Sequence, residues 1–294
     1  MTTKPRIEFK RQRDIGEFFS DTFAFLRNEF KGFFTIVFKI VGPYVLVAIT
    51  GLALYIYSLA DLFNGSLMQS GGDAMNANPL YAIIGLLLTL IGGIAAYTLS
   101  YSSTLHYIKS YEDNNGVIKE EEIRQGVKRS FWSIIGLGIV NAIMISVGIM
   151  LCCIPGIYIW VPLTLSFSLL VFRDLSVTDS ISDSFSLVNG EWWMTFITMF
   201  VIWLVIMIAS YAFSIPSIIY LYVKMGITMG QGDLAEGSNF FTDPIYLGLT
   251  FLSYVFQYLL SLVTIVTSAM IYFHLNEKKN FTGAFEKIDS LGSN

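Results

Sequence analysis

Six stretches of this chain, roughly 33–60, 80–105, 131–152, 155–172, 193–222 and 244–274, contain no Asp or Glu, and Lys39 is the one Lys or Arg within them. A helix needs about 20 apolar residues to cross hydrocarbon. Backbone N–H and C=O groups find no water there, so a crossing chain is either helical or a closed barrel. These runs lack the apolar–polar alternation of barrel strands. The expected fold is an all-α membrane protein with six transmembrane helices arranged as three hairpins. Composition agrees: 14% of residues are charged, against about 25% in a soluble domain. A soluble fold would leave much of the apolar surface bare. A single integral membrane domain over 1–294 is expected, with 277–294 as a cytoplasmic tail.

Lys and Arg give the orientation. Seven precede the second residue of the first span, five lie in the second connection, Arg173 lies in the fourth, and Lys278, Lys279 and Lys287 lie in the tail. In a six-span chain all of these fall on one side, and the other side holds Lys224 alone. Cytoplasmic loops carry the excess of Lys and Arg, so both termini are expected in the cytoplasm. The expected location is a bacterial cytoplasmic (inner) membrane. The basic opening MTTKPRIEFKRQR is not followed by a short apolar core with a cleavage site, so no cleaved leader is expected. Residues 61–79 and 223–243 read as Gly- and Asn-rich outer loops. Pro155 and Gly156 supply the break between the third and fourth spans.

Between the spans lie amphipathic stretches. Val177, Ile181, Phe185, Val188 and Trp192 recur at helical spacing. So do Ile15, Phe19, Phe23, Leu26 and Phe30, and, more briefly, Ile123, Val127 and Phe131. Each stretch is too polar to span and is expected to lie in the cytoplasmic interface. Trp132, Trp192 and Trp193 are the expected interfacial anchors. SDTF at 20–23 matches SDSF at 182–185, which suggests a threefold repeat over about 14–110, 117–173 and 174–276.

The run IPGIYIWVPLTLSFSLLVFRDLSVTDSISDSFSLVNGEWWMTF (154–196) resembles the membrane domain fused to some bacterial glycerophosphodiester phosphodiesterases, and its stand-alone relatives. The resemblance rests on Ile154 to Ile157, on the helix near 176–190 and on Gly190 to Trp193. The opening IGEFFSDTFAFLRNEFKGFF and the closing YFHLNEKKNFTGAFEKI are similar to the ends of that family. The catalytic barrel of the phosphodiesterase is absent, so its activity is not implied here.

No nucleotide, zinc-protease or serine-hydrolase motif occurs. Lys39 lies near a span end and is expected to snorkel toward headgroups, the alternative being a contact with a buried anion. His106 and His274, with Glu112 or Glu277 nearby, fall short of a metal site, which needs three or four converging ligands. Cys152 and Cys153 are adjacent and give no disulfide framework. No cofactor is expected. The basic arm from Lys4 to Arg13 lacks aromatics suited to nucleic acid, so the expected partners are membrane lipids and a membrane protein. Asn141 and Gln257 are expected to bond neighbouring helices. Gly138, Ala142 and Ser146, with Gly92, Ala96, Ser100 and Thr104, point to close packing of the second span on the third. The leading expectation is a non-enzymatic scaffold or accessory subunit. The alternative is a permease or exporter of an amphipathic or lipid-like solute, with a path lined by Lys39, Asn141, Gln257, Ser261 and Thr264.

Single cysteines at Ser70→Cys and Phe185→Cys, in a background lacking Cys152 and Cys153, should label from opposite sides of the membrane. Labelling of both from one side would overturn the six-span topology.

Overall fold

A computed structural model describes residues 6–68, 79–230, 243–283 and 285. It contains helices α1 (Ile15–Asn28), α2 (Phe30–Met68), α3 (Pro79–Asp113), α4 (Glu120–Leu151), α5 (Cys153–Phe172), α6 (Val177–Val188), α7 (Trp192–Gly230) and α8 (Pro244–Asn280). Six of them, α2 to α5, α7 and α8, are long and apolar enough to cross a membrane. The protein is an all-α, multi-pass membrane protein. At 1.5 Å per residue, the 20 residues of α5 match a hydrocarbon thickness of about 30 Å. The 39 residues of α2 and of α7 reach well beyond it. The expected loop 61–79 is accordingly helical up to Met68, and 223–243 up to Gly230. Residues 69–78 and 231–242 lie outside the described residues.

The chain packs as two compact units. The first comprises 1–40, 98–204 and 262–294. Its interior is built on the second half of α3 and the end of α8, where nearly every side chain from Leu262 to Leu275 is buried. Phe9, from the segment before α1, fills an aromatic box. Its ring meets Phe25 at 5.1 Å, Phe273 at 5.5 Å and Tyr111 at 6.0 Å between centroids, all edge to face, the arrangement ring quadrupoles favour.

Helix α1 starts where the Glu17 carboxylate accepts the Asp14 N–H at 2.9 Å. Helix α6 starts where Ser176 Oγ accepts the Asp179 N–H at 3.3 Å. Both contacts cover orphan donors at a helix start. The face α1 buries is Phe18, Thr22, Phe25 and Leu26, only one of which belongs to the expected stripe. Phe23, 49% exposed, and Phe30 stand on the outer flank. The same shift occurs in α6, which buries Ser180, Ser184, Leu187 and Val188 and leaves Ile181 and Phe185 half-covered. The apolar arc of each helix is wider than its protein contact. Small hydroxyl residues occupy the closest approach because they let backbones come near. The third amphipathic stretch forms no separate helix: Ile123 and Val127 are buried in the first turns of a continuous α4.

Helix α4 turns into α5 at a single extended residue, Cys152. Pro155 and Gly156 lie inside α5 rather than at the break. Gly156 instead permits contact, since a Cβ there would sit 2.5 Å from Ile149 Cγ1 and 2.9 Å from Ile149 N. Asn141 Nδ2 then reaches Ser166 Oγ at 2.9 Å and the Leu163 carbonyl at 3.2 Å on α5. Helix α6 returns antiparallel to α5, so that Trp192 Nε1 donates to the Tyr158 carbonyl at 3.1 Å. A helix lying flat beneath an upright α5 would not make that contact.

The second unit comprises 41–97 and 205–261. In it α2 and α3 touch backbone to backbone. A Cβ on Gly51 would sit 2.5 Å from Thr89 N, one on Gly85 2.6 Å from Tyr55 N, and one on Gly92 2.7 Å from Ala48 N. Gly92 therefore serves the packing of α3 on α2, not on α4 as the small-residue stripe suggested. Gly138 faces Phe167 of α5. Helices α7 and α8 are joined by the stacked Phe213 and Phe256 rings, 4.1 Å apart, and by Ser253 Oγ donating to the Phe213 carbonyl at 2.8 Å. Lys224 pairs with Asp243, which also accepts the Ile245 N–H at 2.9 Å.

Overpacking a tight site costs about 1–3 kcal/mol. Gly51→Val should therefore lower the melting temperature in detergent by several degrees. Gly93→Ala, with nothing within 4 Å of the added carbon, should leave it within a degree.

Candidate functional site

In the first unit, the end of α3, the start of α4 and the turn after α5 enclose a polar cleft of about 340 Å³. Its walls carry Lys109, Asp113, Glu122, Arg129 and Asp174, and the His106 ring contributes to its lining. Lys109 Nζ donates to Asp174 Oδ2 and to the Val171 carbonyl, each at 2.8 Å. Arg129 Nη2 pairs with the other Asp174 oxygen. Asp174 sits at φ +52°, in the left-handed region that Asp tolerates better than most residues. Burial pushes the Asp174 carboxyl up, but Lys109 and Arg129 outweigh it, so the group lies below the usual carboxylate range.

His106 is 8% exposed. Its Nε2 lies 3.1 Å from Ser130 Oγ, which is in turn 2.8 Å from Ser102 Oγ. Its Nδ1 makes no hydrogen bond to a described residue. The Nδ1–Cε1 edge lies against Gly126, where a Cβ would stand 2.4 Å from Nδ1. Glycine at this position lets the α4 backbone pack directly on that edge beside the cleft. Nothing in the spacing of the sequence singled out Gly126 or Asp174. The signal available was His106 three residues before Lys109 at a span end.

The residues singled out in the sequence do not converge. The Lys39 ammonium, expected to seek headgroups, meets Glu120 Oε1 at 2.6 Å. That carboxylate also holds Arg124 at 2.9 Å. Asn141 Nδ2 is held by α5, as above, and its Oδ1 is buried with no hydrogen bond to a described residue. Gln257 Nε2 reaches Ser214 Oγ at 3.3 Å in the second unit. Ser261 and Thr264 are exposed, and Ser261 Oγ donates to the Tyr258 carbonyl of its own helix. Trp132 and Trp193 stand 77% and 71% exposed. Trp192 is instead half-covered, stacked at 5.3 Å on Tyr158 and at 5.1 Å on Phe196.

The two histidines take separate partners. His274 Nδ1 accepts the Arg13 N–H at 2.8 Å. Glu112 Oε1 accepts the Phe9 N–H at 3.3 Å, and Glu277 Oε2 accepts the Gly283 N–H at 2.6 Å. The start of the expected tail is thus folded back onto the end of α8. Among the described residues no group of three or more His, Cys, Asp or Glu is placed to hold a metal ion. Cys152 and Cys153 are free and exposed.

A second organising contact is the buried Arg13 guanidinium. It donates to Asp21 Oδ2 at 2.9 Å and to the Phe9 carbonyl at 2.7 Å, and it also meets the Glu8 carbonyl. Arg11 reaches the same Asp21 oxygen at 2.7 Å. Burial raises the Asp21 pKa, yet the bonds from Arg11 and Arg13 outweigh it and hold the carboxyl below its usual range. A depressed carboxylate contributes stability that is present above its unfolded pKa and lost as pH falls through the lower folded value. The melting temperature of the detergent-solubilised protein should therefore fall as pH drops below about 4. Asp21→Asn should flatten that dependence and lower the plateau at neutral pH. Compared with protein-family models, curated proteins and solved structures, the chain matches none.

Proposed function

We propose that this protein is a non-enzymatic membrane scaffold or accessory subunit that organises lipid or a partner complex. In this reading it sits in a bacterial cytoplasmic membrane with both termini in the cytoplasm. Sixteen of its eighteen Lys and Arg then face the cytoplasm, the two others being Lys39 and Lys224. Helix α1 lies at the cytoplasmic interface, with the exposed Phe23 of its outer flank turned toward lipid.

The observation that carries this reading is the fate of the polar groups on the membrane helices. Lys39 pairs with Glu120, Asn141 Nδ2 bonds Ser166 and Leu163 while its Oδ1 is buried without a partner among the described residues, and Gln257 Nε2 bonds Ser214. Such bonds fasten helices. A permease of a lipid-like solute would need these groups turned into one path. The hydroxyl of the Ser130–His106 pair is buried and shared with Ser102, which suits packing better than nucleophilic attack.

Purification from native membranes in mild detergent, with cross-linking read by mass spectrometry, tests the proposal. The expected result is a stoichiometric partner protein whose cross-links fall on α1 and α6. A protein that purifies alone and moves a lipid-like solute across reconstituted vesicles would overturn it.

A further inference from the structure

The polar cleft contains three groups with capacity to spare. His106 Nδ1 lies beside it, packed on Gly126 and without a hydrogen-bond partner among the described residues. The Arg129 side chain is 73% exposed, and among the described residues it bonds Asp174 through Nη2, so most of its five N–H donors remain available. Asp113, exposed at the end of α3, makes no hydrogen bond or ion pair with a described residue. The other charges are already matched. Lys109 is held by Asp174 and Val171, and Glu122 by Lys119 and Asn114.

An anion alone would satisfy Arg129 and leave Asp113, in the same lining, without a counter-ion. An amine alone would satisfy Asp113 and meet Lys109 and Arg129. A zwitterion satisfies both walls without displacing Asp174. The volume of about 340 Å³ lies at the small end of the range for small-molecule pockets. The cleft also lies where two candidate membrane helices, α3 and α4, end.

We propose that the His106–Asp113–Arg129 cleft binds a zwitterion that carries a primary ammonium and a phosphate, as in phosphoethanolamine. Arg129 takes the phosphate, Asp113 takes the ammonium, and His106 Nδ1 hydrogen-bonds the ligand from the floor. The source is either the ethanolamine headgroup of a bilayer lipid or a free soluble phosphoethanolamine. The headgroup source rests on the reading that α3 and α4 cross a bilayer.

The test uses the full chain with ¹⁵N-labelled histidine in nanodiscs made either of phosphatidylethanolamine with phosphatidylglycerol or of phosphatidylcholine with phosphatidylglycerol. With two histidines in the chain, His106→Gln assigns the resonances. A shift of His106 Nδ1 in ethanolamine discs, absent in choline discs, is the expected result for a lipid source, because a trimethylated ammonium has no N–H for Asp113. A saturable shift on adding phosphoethanolamine to choline discs is the expected result for a soluble source. Arg129→Gln and Asp113→Asn, both exposed and remote from the packed interior, should weaken the response at least tenfold with helicity unchanged. Gly126→Ala should abolish it by displacing the imidazole from the cleft wall.

Equal His106 spectra under all lipid and ligand conditions would overturn the proposal, as would a response that survives in both Arg129→Gln and Asp113→Asn. Co-elution with the discs reports separately on the bilayer reading. If the protein does not enter discs, titration of phosphoethanolamine in detergent decides the cleft by the same criteria.

Discussion

Apolar helices surrounded by lipid gain little from hiding apolar surface against one another, so their association depends on close backbone approach and on side-chain hydrogen bonds. Both devices are present in each unit. In the second unit, Gly51, Gly85 and Gly92 bring α2 and α3 close enough that a single added carbon would strike backbone. In the first unit, the interior is rich in hydroxyls. Thr22, Ser102, Ser130, Ser166 and Thr267 bond across helices or back to their own carbonyls. Small polar side chains serve here because they satisfy themselves locally and still permit tight contact.

The charges at the helix ends follow a second logic. Arg11 precedes Asp21 by ten positions and pairs with it, and Arg173 precedes Asp183 by ten positions and does the same. Each Asp belongs to the matching SDTF or SDSF tetrad. In both tetrads the third residue, Thr22 or Ser184, is buried, and the first, Ser20 or Ser182, is exposed. The two short amphipathic helices are therefore alike in more than sequence. In each, an arginine from the preceding segment folds onto the polar flank while a small hydroxyl residue meets the neighbouring helix. The start of α4 shares the acidic first turn but neither the arginine nor the tetrad, and it runs straight into its membrane helix.

The cleft at the end of α3 depends on the same packing. Ser130, itself bonded to Ser102, holds His106 from one side, and the Gly126 backbone packs on the other edge. The turn after α5 brings Asp174, in a left-handed conformation, between Lys109 and Arg129. Residues from three separated parts of the sequence form one small polar surface, and most are held by bonds that also serve the fold.

The sequence by itself determined the membrane class, the helical conformation and the number of apolar crossings. Those follow from local composition: runs without carboxylates, long enough for hydrocarbon, whose backbone has no other way to satisfy its polar groups. It also located the short amphipathic helices, because their period is local. Tertiary structure decided which face of each helix meets protein, since an apolar arc wider than the contact leaves Phe18 and Phe23 equivalent until a neighbour is placed. It decided that Lys39 meets Glu120 and that Gly92 meets Ala48, because pairing across distant segments depends on how helices are set side by side. The cleft was illegible for the same reason. Gly126, Asp174 and His106 carry no common spacing, and their chemistry exists only once three helix ends are brought together.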